Sequence, residues 1–166
     1  MEYTKSIQCF NYLIEVNNEE RERGGGCCLT QYTAPKLLYL ANCLHIKNNN
    51  IALLQDSFTR HSKVYGVVLM PIYFQLLNYT AKSLTEGLKY ELLEGVQQEN
   101  NHITNIPLSK EDKASIKEAY LLFKDYKAKW LKENTCRPNS ASAKTIIGSP
   151  ILDEKIQKER LIDTIK

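Results

Sequence analysis

The sequence predicts a mainly α-helical fold: a single domain over residues 1–166 with five or six helices and room for one short β-hairpin. Three observations lead there. Hydrophobic residues make up 43% and charged residues 25% of 166, the balance of a chain that buries roughly two thirds of its surface without a disulfide or metal staple. Apolar residues recur at spacings of three and four in several separate segments. With seven Gly and five Pro, neither a solenoid-length repeat nor a linker long enough to divide the chain is visible.

The elements follow in order. Residues 3–16 place Ile7, Phe10, Leu13 and Ile14 on one face of a first helix. The charged, glycine-rich stretch 17–28 then reads as an exposed loop. Thr33 is placed to cap a second helix, with Pro35 in its first turn. Leu37, Leu38, Leu40, Ala41 and Leu44 cover more than one face, so this helix is expected at the centre. Asn48, Asn49 and Asn50 read as a turn, and 51–65 as an irregular or short extended connection. Gly66 breaks the chain before an apolar segment, and a third helix is expected from Pro71 through Ile72, Tyr73, Leu76 and Leu77. The stretch 81–107 reads either as a hairpin around 88–97 or as a helical turn and loop. Ser109 with Asp112 resembles a capping box. One helix is then expected to carry Ile116, Ala119, Tyr120, Phe123, Tyr126 and Trp130. Residues 135–142 read as a loop, and a last helix from Leu152 should turn Ile156 and Leu161 inward.

Composition excludes several functions. A net charge of +3 and a pI near 8.5, with the two signs interspersed, do not favour nucleic acid as partner. Lys124, Lys127, Lys129 and Lys132 keep a nucleic-acid-binding regulator as an alternative, although Asp125 and Glu133 interrupt them. The longest apolar run, 64–74, is far shorter than the roughly 20 residues that span a bilayer, so no membrane anchor is expected. Five cysteines, with Cys27 and Cys28 adjacent, and an N-terminus unlike a signal peptide fit free thiols in a reducing cytoplasm.

The search for catalytic chemistry returns little. Cys27, Cys28, Cys43 and His45 form the one cluster resembling metal ligands, but an adjacent pair and a Cys-x-His pair lack the two-to-four-residue spacing that aims ligands at one ion. The expectation is no metal and no cofactor. A Cys–His nucleophile needs a base brought close by the fold, and His45, His61 and His102 are ordinary candidates for solvated or hydrogen-bonded side chains. Gly24, Gly25 and Gly26 lack the flanking strand and Lys-Ser/Thr pair of a phosphate loop. No catalytic residue is expected.

Three segments nevertheless carry a resemblance. LTQYTAPKLLYLAN at 29–42 offers Lys36, Leu37, Leu38, Tyr39 and Ala41. Tyr65-Gly66-Val67-Val68-Leu69 is followed by Ile72 and Tyr73. Gly148-Ser149-Pro150-Ile151 precedes the last helix. In this order and spacing they resemble the Panacea domain, the SocA-like antitoxin family also found in phage-associated proteins. The family's earlier lysine is Thr33 here, its Tyr-Gly-Pro proline is Val67, its preceding tryptophan is Val64, and its Gly-Ser-Pro-Trp aromatic is Ile151, which marks a divergent member.

The resemblance implies a mainly helical, non-enzymatic module that neutralises a cognate toxin by direct binding, through occlusion or delivery to a protease. It implies Lys36, Tyr39, Tyr65 and Tyr73 as partner-binding residues, and Gly66, Gly148 and Pro150 as structural ones. Tyrosine is a frequent interface anchor, and packing of these rings into the core is the competing explanation. A phage or mobile-element accessory protein with a different partner is the alternative.

Overall fold

The computed structural model describes residues 3–27, 29–77 and 107–157. Its elements run α1 (Tyr3–Glu22), α2 (Thr33–Asn49), β1 (Phe58–Ser62), β2 (Gly66–Leu69), a 3-10 turn (Met70–Ile72) leading into α3 (Tyr73–Leu76), α4 (Lys110–Phe123), α5 (Ala128–Thr135) and α6 (Asp153–Gln157). Among the described residues the architecture is therefore mainly α, with one small antiparallel hairpin, as expected.

The core is organised around α2. Every residue from 33 to 46 is buried, the pattern of a helix enclosed on all sides. It packs against α1, α4, α5, α6 and β2. Its start differs from the sequence expectation: Thr33 is the first helical residue, not the cap. Its Oγ1 accepts from Thr30 N at 2.9 Å, and Thr30 Oγ1 accepts from the N–H groups of Tyr32 and Thr33. The ST-type turn at Thr30 thus satisfies amides that an N-cap would otherwise take. At the far end the helix runs through Asn49, and Asn50 alone makes the turn, at φ 55° with its N–H on Ile46 O.

Ile7, Phe10, Leu13 and Ile14 are buried on α1 as expected, but the helix continues six residues beyond 16 to Glu22. Buried Asn17 holds this extension. Its Oδ1 accepts from Cys27 N at 2.9 Å and from Tyr120 Oη at 2.7 Å, while its Nδ2 donates to Cys27 O. The loop that follows is tied down at that point.

The capping box at α4 is complete: Asp112 N donates to Ser109 Oγ at 3.0 Å and Ser109 N to Asp112 Oδ2 at 3.1 Å. The single long helix expected beyond it is instead two. Tyr126 N bonds Phe123 O, closing a tight turn, and Lys127 is extended at ψ 159°. The break brings Tyr126 onto Trp130, with ring centroids 3.8 Å apart, and Phe123 onto Trp130 at 6.0 Å.

The first strand of the hairpin lies inside the 51–65 segment read as irregular or short extended and the second in the apolar segment that Gly66 opens, with Phe58 paired to Leu69 and Ser62 to Gly66. The proposed hairpin at 88–97 falls outside the described residues, as does Leu161. Ile156 is buried on α6. The segment around Pro150 lies along the other edge of β1: Gly148 N bonds Arg60 O at 2.6 Å, Arg60 N bonds Ser149 O, and Ile151 N bonds Phe58 O at 2.8 Å. Gly148 sits at φ 92°, where a side chain is strained. Arg60 also donates through Nη1 to the carbonyls of Ala143 and Thr145.

Candidate functional site

A one-residue bulge interrupts β1 between Arg60 and Ser62. Such a bulge re-aims the extra side chain, here His61. Its ring meets Tyr65 edge-on at 5.7 Å and Tyr73 at 4.7 Å. Tyr65 in turn stacks on Tyr32 at 5.7 Å and 4°, and Tyr73 abuts Phe74. These rings come from the start of α2, the hairpin and α3, and together make a continuous aromatic surface. Tyr32 is 37% exposed, Phe74 70% and Val64 71%. Burial raises the Tyr73 hydroxyl pKa above its usual value, and the neighbouring Tyr65 and Tyr32 hydroxyls add to it, so the Tyr73 phenol stays a protonated donor at neutral pH.

The stacked pair of Tyr32 and Tyr65 separates two hollows. On one side is an apolar crevice lined by Pro35, Val68, Tyr73 and Leu76, with about 20 Å³ of room, enough for about one water. On the other is a cleft of about 370 Å³ bounded by Tyr32, Lys36, Val64, Tyr65, Lys129 and Lys132. Lys36 is 3% exposed and donates from Nζ to Tyr32 O at 2.9 Å. Burial pushes its pKa down to about 8; Lys132 lowers it further and Cys136 acts the other way.

Gly66 sits against the stems of Lys132 and Lys36 at φ 68°. A Cβ there would stand 3.1 Å from Lys132 Cγ and 3.7 Å from Lys36 Cε. The backbone angle therefore favours glycine, and any side chain would also press on the Lys132 stem.

Of the expected partner-binding residues, Lys36, Tyr65 and Tyr73 come together at this surface. Tyr39 does not. It is 1% exposed and packs edge-on against Phe58 at 5.4 Å, so it is a core residue and is corrected as such. Tyr32 and His61 belong to the site and were not anticipated. Tyr32 was legible as an aromatic four residues before Lys36, but the position of His61 depends on a bulge that leaves no local sequence signal. Gly66 carries the positive φ expected of a structural glycine. Pro150 bridges to Thr59 away from the aromatic row.

A second polar cluster lies at the other end of α2. His45 Nδ1 is 2.8 Å from Ser115 Oγ and 3.2 Å from Asn49 Nδ2. Its Nε2 is 3.6 Å from Asp112 Oδ1, and Asp112 Oδ2 is 3.5 Å from Lys5 Nζ. The Asn49 amide N–H on Nδ1 assigns the ring proton to Nε2. Burial lowers the His45 pKa, against the opposing pull of Asp112. Although the set reads Ser–His–Asp, its members are 3–7% exposed, and none of them lines the hollows described above. The cluster clamps α1, α2 and α4 together.

Cys9 and Cys43 are buried, and Cys27 and Cys136 half-buried, all as thiols. Cys28 and His102 lie outside the described residues. Among the described residues no group of three His, Cys, Asp or Glu is arranged to hold a metal, and no helix is long and apolar enough to cross a membrane. No protein-family model, curated protein or solved structure matches the chain.

Proposed function

We propose that this chain is an antitoxin-like protein-binding module that neutralises a cognate toxin by direct contact, with occlusion or delivery to a protease as the outcome. The observation that carries the reading is the aromatic surface of Tyr32, Tyr65, His61, Tyr73 and Phe74. Interfaces concentrate their affinity in a few aromatic and basic anchors within a larger patch. Tyrosine offers apolar area and a hydroxyl at small entropic cost. The resemblance of the segments at 29–42 and 65–73 to the SocA-like antitoxins supports the same surface, since these segments supply its tyrosines and Lys36.

The experiment is co-expression with the adjacent open reading frame, followed by pull-down and growth rescue. Wild-type protein is expected to capture the product and restore growth. The triple variant Tyr32→Ala/Tyr65→Ala/Phe74→Ala, checked as folded by circular dichroism, is expected to lose both. Full rescue by that folded variant excludes the aromatic surface as the interface.

A further inference from the structure

The cleft behind the Tyr32–Tyr65 pair has a feature that general protein binding leaves unexplained. Among the described residues its lining contains three lysines and no acidic residue. Buried cations are ordinarily matched by a carboxylate, because desolvating an unpaired charge is costly. Among the described residues Lys36 lacks that match: its hydrogen bond is to the Tyr32 carbonyl, and the side chains that bear on its charge are the Cys136 thiol and another cation, Lys132. A lysine ammonium has three donors, so Lys36 retains capacity for an anion entering from the cleft. Lys129 stands at the mouth, 84% exposed and only loosely paired with Glu133 at 3.9 Å.

We infer that the cleft between the start of α2, the hairpin and α5 is a receptor for an acidic side chain of a protein partner, its carboxylate seated on Lys36 and flanked by Lys132 and Lys129. This rests on the protein-binding reading and names the chemistry the partner must present: a glutamate or aspartate beside an apolar or aromatic residue that lies on Tyr32 and Tyr65. A compact carboxylate reaches the floor of a hollow of about 370 Å³. A nucleic acid strand fits less well, because it needs a continuous basic track. Here Lys124 lies beside Gly25, 3.7 Å from Asp125, and Lys129 has Glu133.

The test uses the full chain, labelled with 15N at the lysine side chains and followed by NMR. The probes are a blocked six-residue peptide of glutamate and tyrosine, its glutamine counterpart, inorganic phosphate, and a thymidine 15-mer. The expected result is saturable binding of the acidic peptide, with the Lys36 ammonium resonance changing most. Lys36→Met should weaken binding about tenfold or more, as loss of a desolvated charge pair does, and Lys129→Met by less. Lys36→Met removes a buried charge and should fold; Lys132→Met provides a second variant at the same floor.

Four results overturn the assignment: no saturable binding of the acidic peptide, equal binding of the glutamine peptide, unchanged binding by both folded methionine variants at Lys36 and Lys132, or tighter binding of phosphate or the oligonucleotide. The pull-down separates this from failure of the broader reading. A partner captured equally by wild type and Lys36→Met removes the cleft and leaves protein binding intact. Acidic-peptide binding without capture of the neighbouring product leaves the cleft and removes the toxin assignment.

Discussion

Lys36 and His45 sit near opposite ends of the same buried helix, and the fold treats them in opposite ways. His45 is surrounded by Ser115, Asn49 and Asp112, and Asp112 is itself held by the α4 cap and Lys5. Each polar atom there serves the packing of α1, α2 and α4. Among the described residues Lys36 has a backbone carbonyl and no carboxylate, beside a cleft lined with further lysines. Burial alone therefore does not mark a polar residue as structural. What separates the two ends is whether the chain supplies the compensating charge. Where it does, the group is a fastener; at the Lys36 end the proposed acidic partner would supply the missing half.

Substitutions should separate the ends by sign as well as size. The largest effect is expected for Asp112→Ala, which removes the carboxylate half of the α4 capping box, the Lys5 ion pair and the neighbour of His45 together. The cost should be about 2–4 kcal/mol, read from urea unfolding. A loss under about 0.5 kcal/mol would show that the closed end is not a fastener. Next comes Gly66→Val at the open end, where positive φ and contact with the Lys132 stem should cost about 1–3 kcal/mol. That corresponds to a Tm lowered by roughly 3–9 °C for a chain of this size. Gly148→Ala sharpens the comparison, because a Cβ there meets nothing within 4 Å; backbone strain alone should cost about 1 kcal/mol.

The third effect reverses direction. Lys36→Met should raise stability at pH 7 by about 1 kcal/mol, as replacement of an uncompensated buried charge does. Its pH dependence follows from the folded pKa of about 8 against an unfolded value near 10.4. Below pH 8 both states hold the proton, and the wild type bears the full cost. Between those two values the unfolded chain keeps a proton that the folded chain has shed, so wild-type stability rises with pH. The advantage of Lys36→Met should therefore shrink across that window and vanish above it. A constant advantage from pH 7 to 11 would mean that Lys36 is not buried as a cation.

The smallest effect belongs to His45. Its folded pKa lies below the unfolded value near 6.5, so the unfolded chain takes up a proton first as pH falls. Stability should decline below about pH 6.5, until the folded histidine protonates as well. Asp112, Lys5 and Glu111 are the charged groups that bear on it. The slope is read as the difference between wild type and His45→Gln, and its absence would show that His45 is not held neutral.

How far each feature was legible in the sequence depends on the distance over which it is determined. The Ser109–Asp112 box is a contact across three residues, and it was readable. The centrality of α2 was readable too, because apolar residues on more than one face leave a helix no solvated side. The break at 124–127 was not: the segment contains no glycine or proline, and ring stacking among Phe123, Tyr126 and Trp130 accompanies it. The candidate site divides in the same way. Residue type suggests tyrosine anchors, but exposure is a tertiary property, so sequence alone does not tell buried Tyr39 from exposed Tyr32. His61 enters through a register irregularity, and the isolation of Lys36 from carboxylates depends on which chains surround it.

The flanking of β1 on both edges bears on how the chain is made. One edge pairs with β2 within a few residues. The other is covered by the backbone around Ser149, roughly ninety positions later, and at about 5–20 residues per second of synthesis that edge waits on the order of ten seconds. During that interval β1 presents unpaired amides, the template on which strands of different chains join. The covering segment carries Pro150, which has no N–H to offer a further strand. The late arrival thus covers the hairpin and also ends the row, and nascent chains stalled before residue 148 should self-associate in a way that finished chains do not.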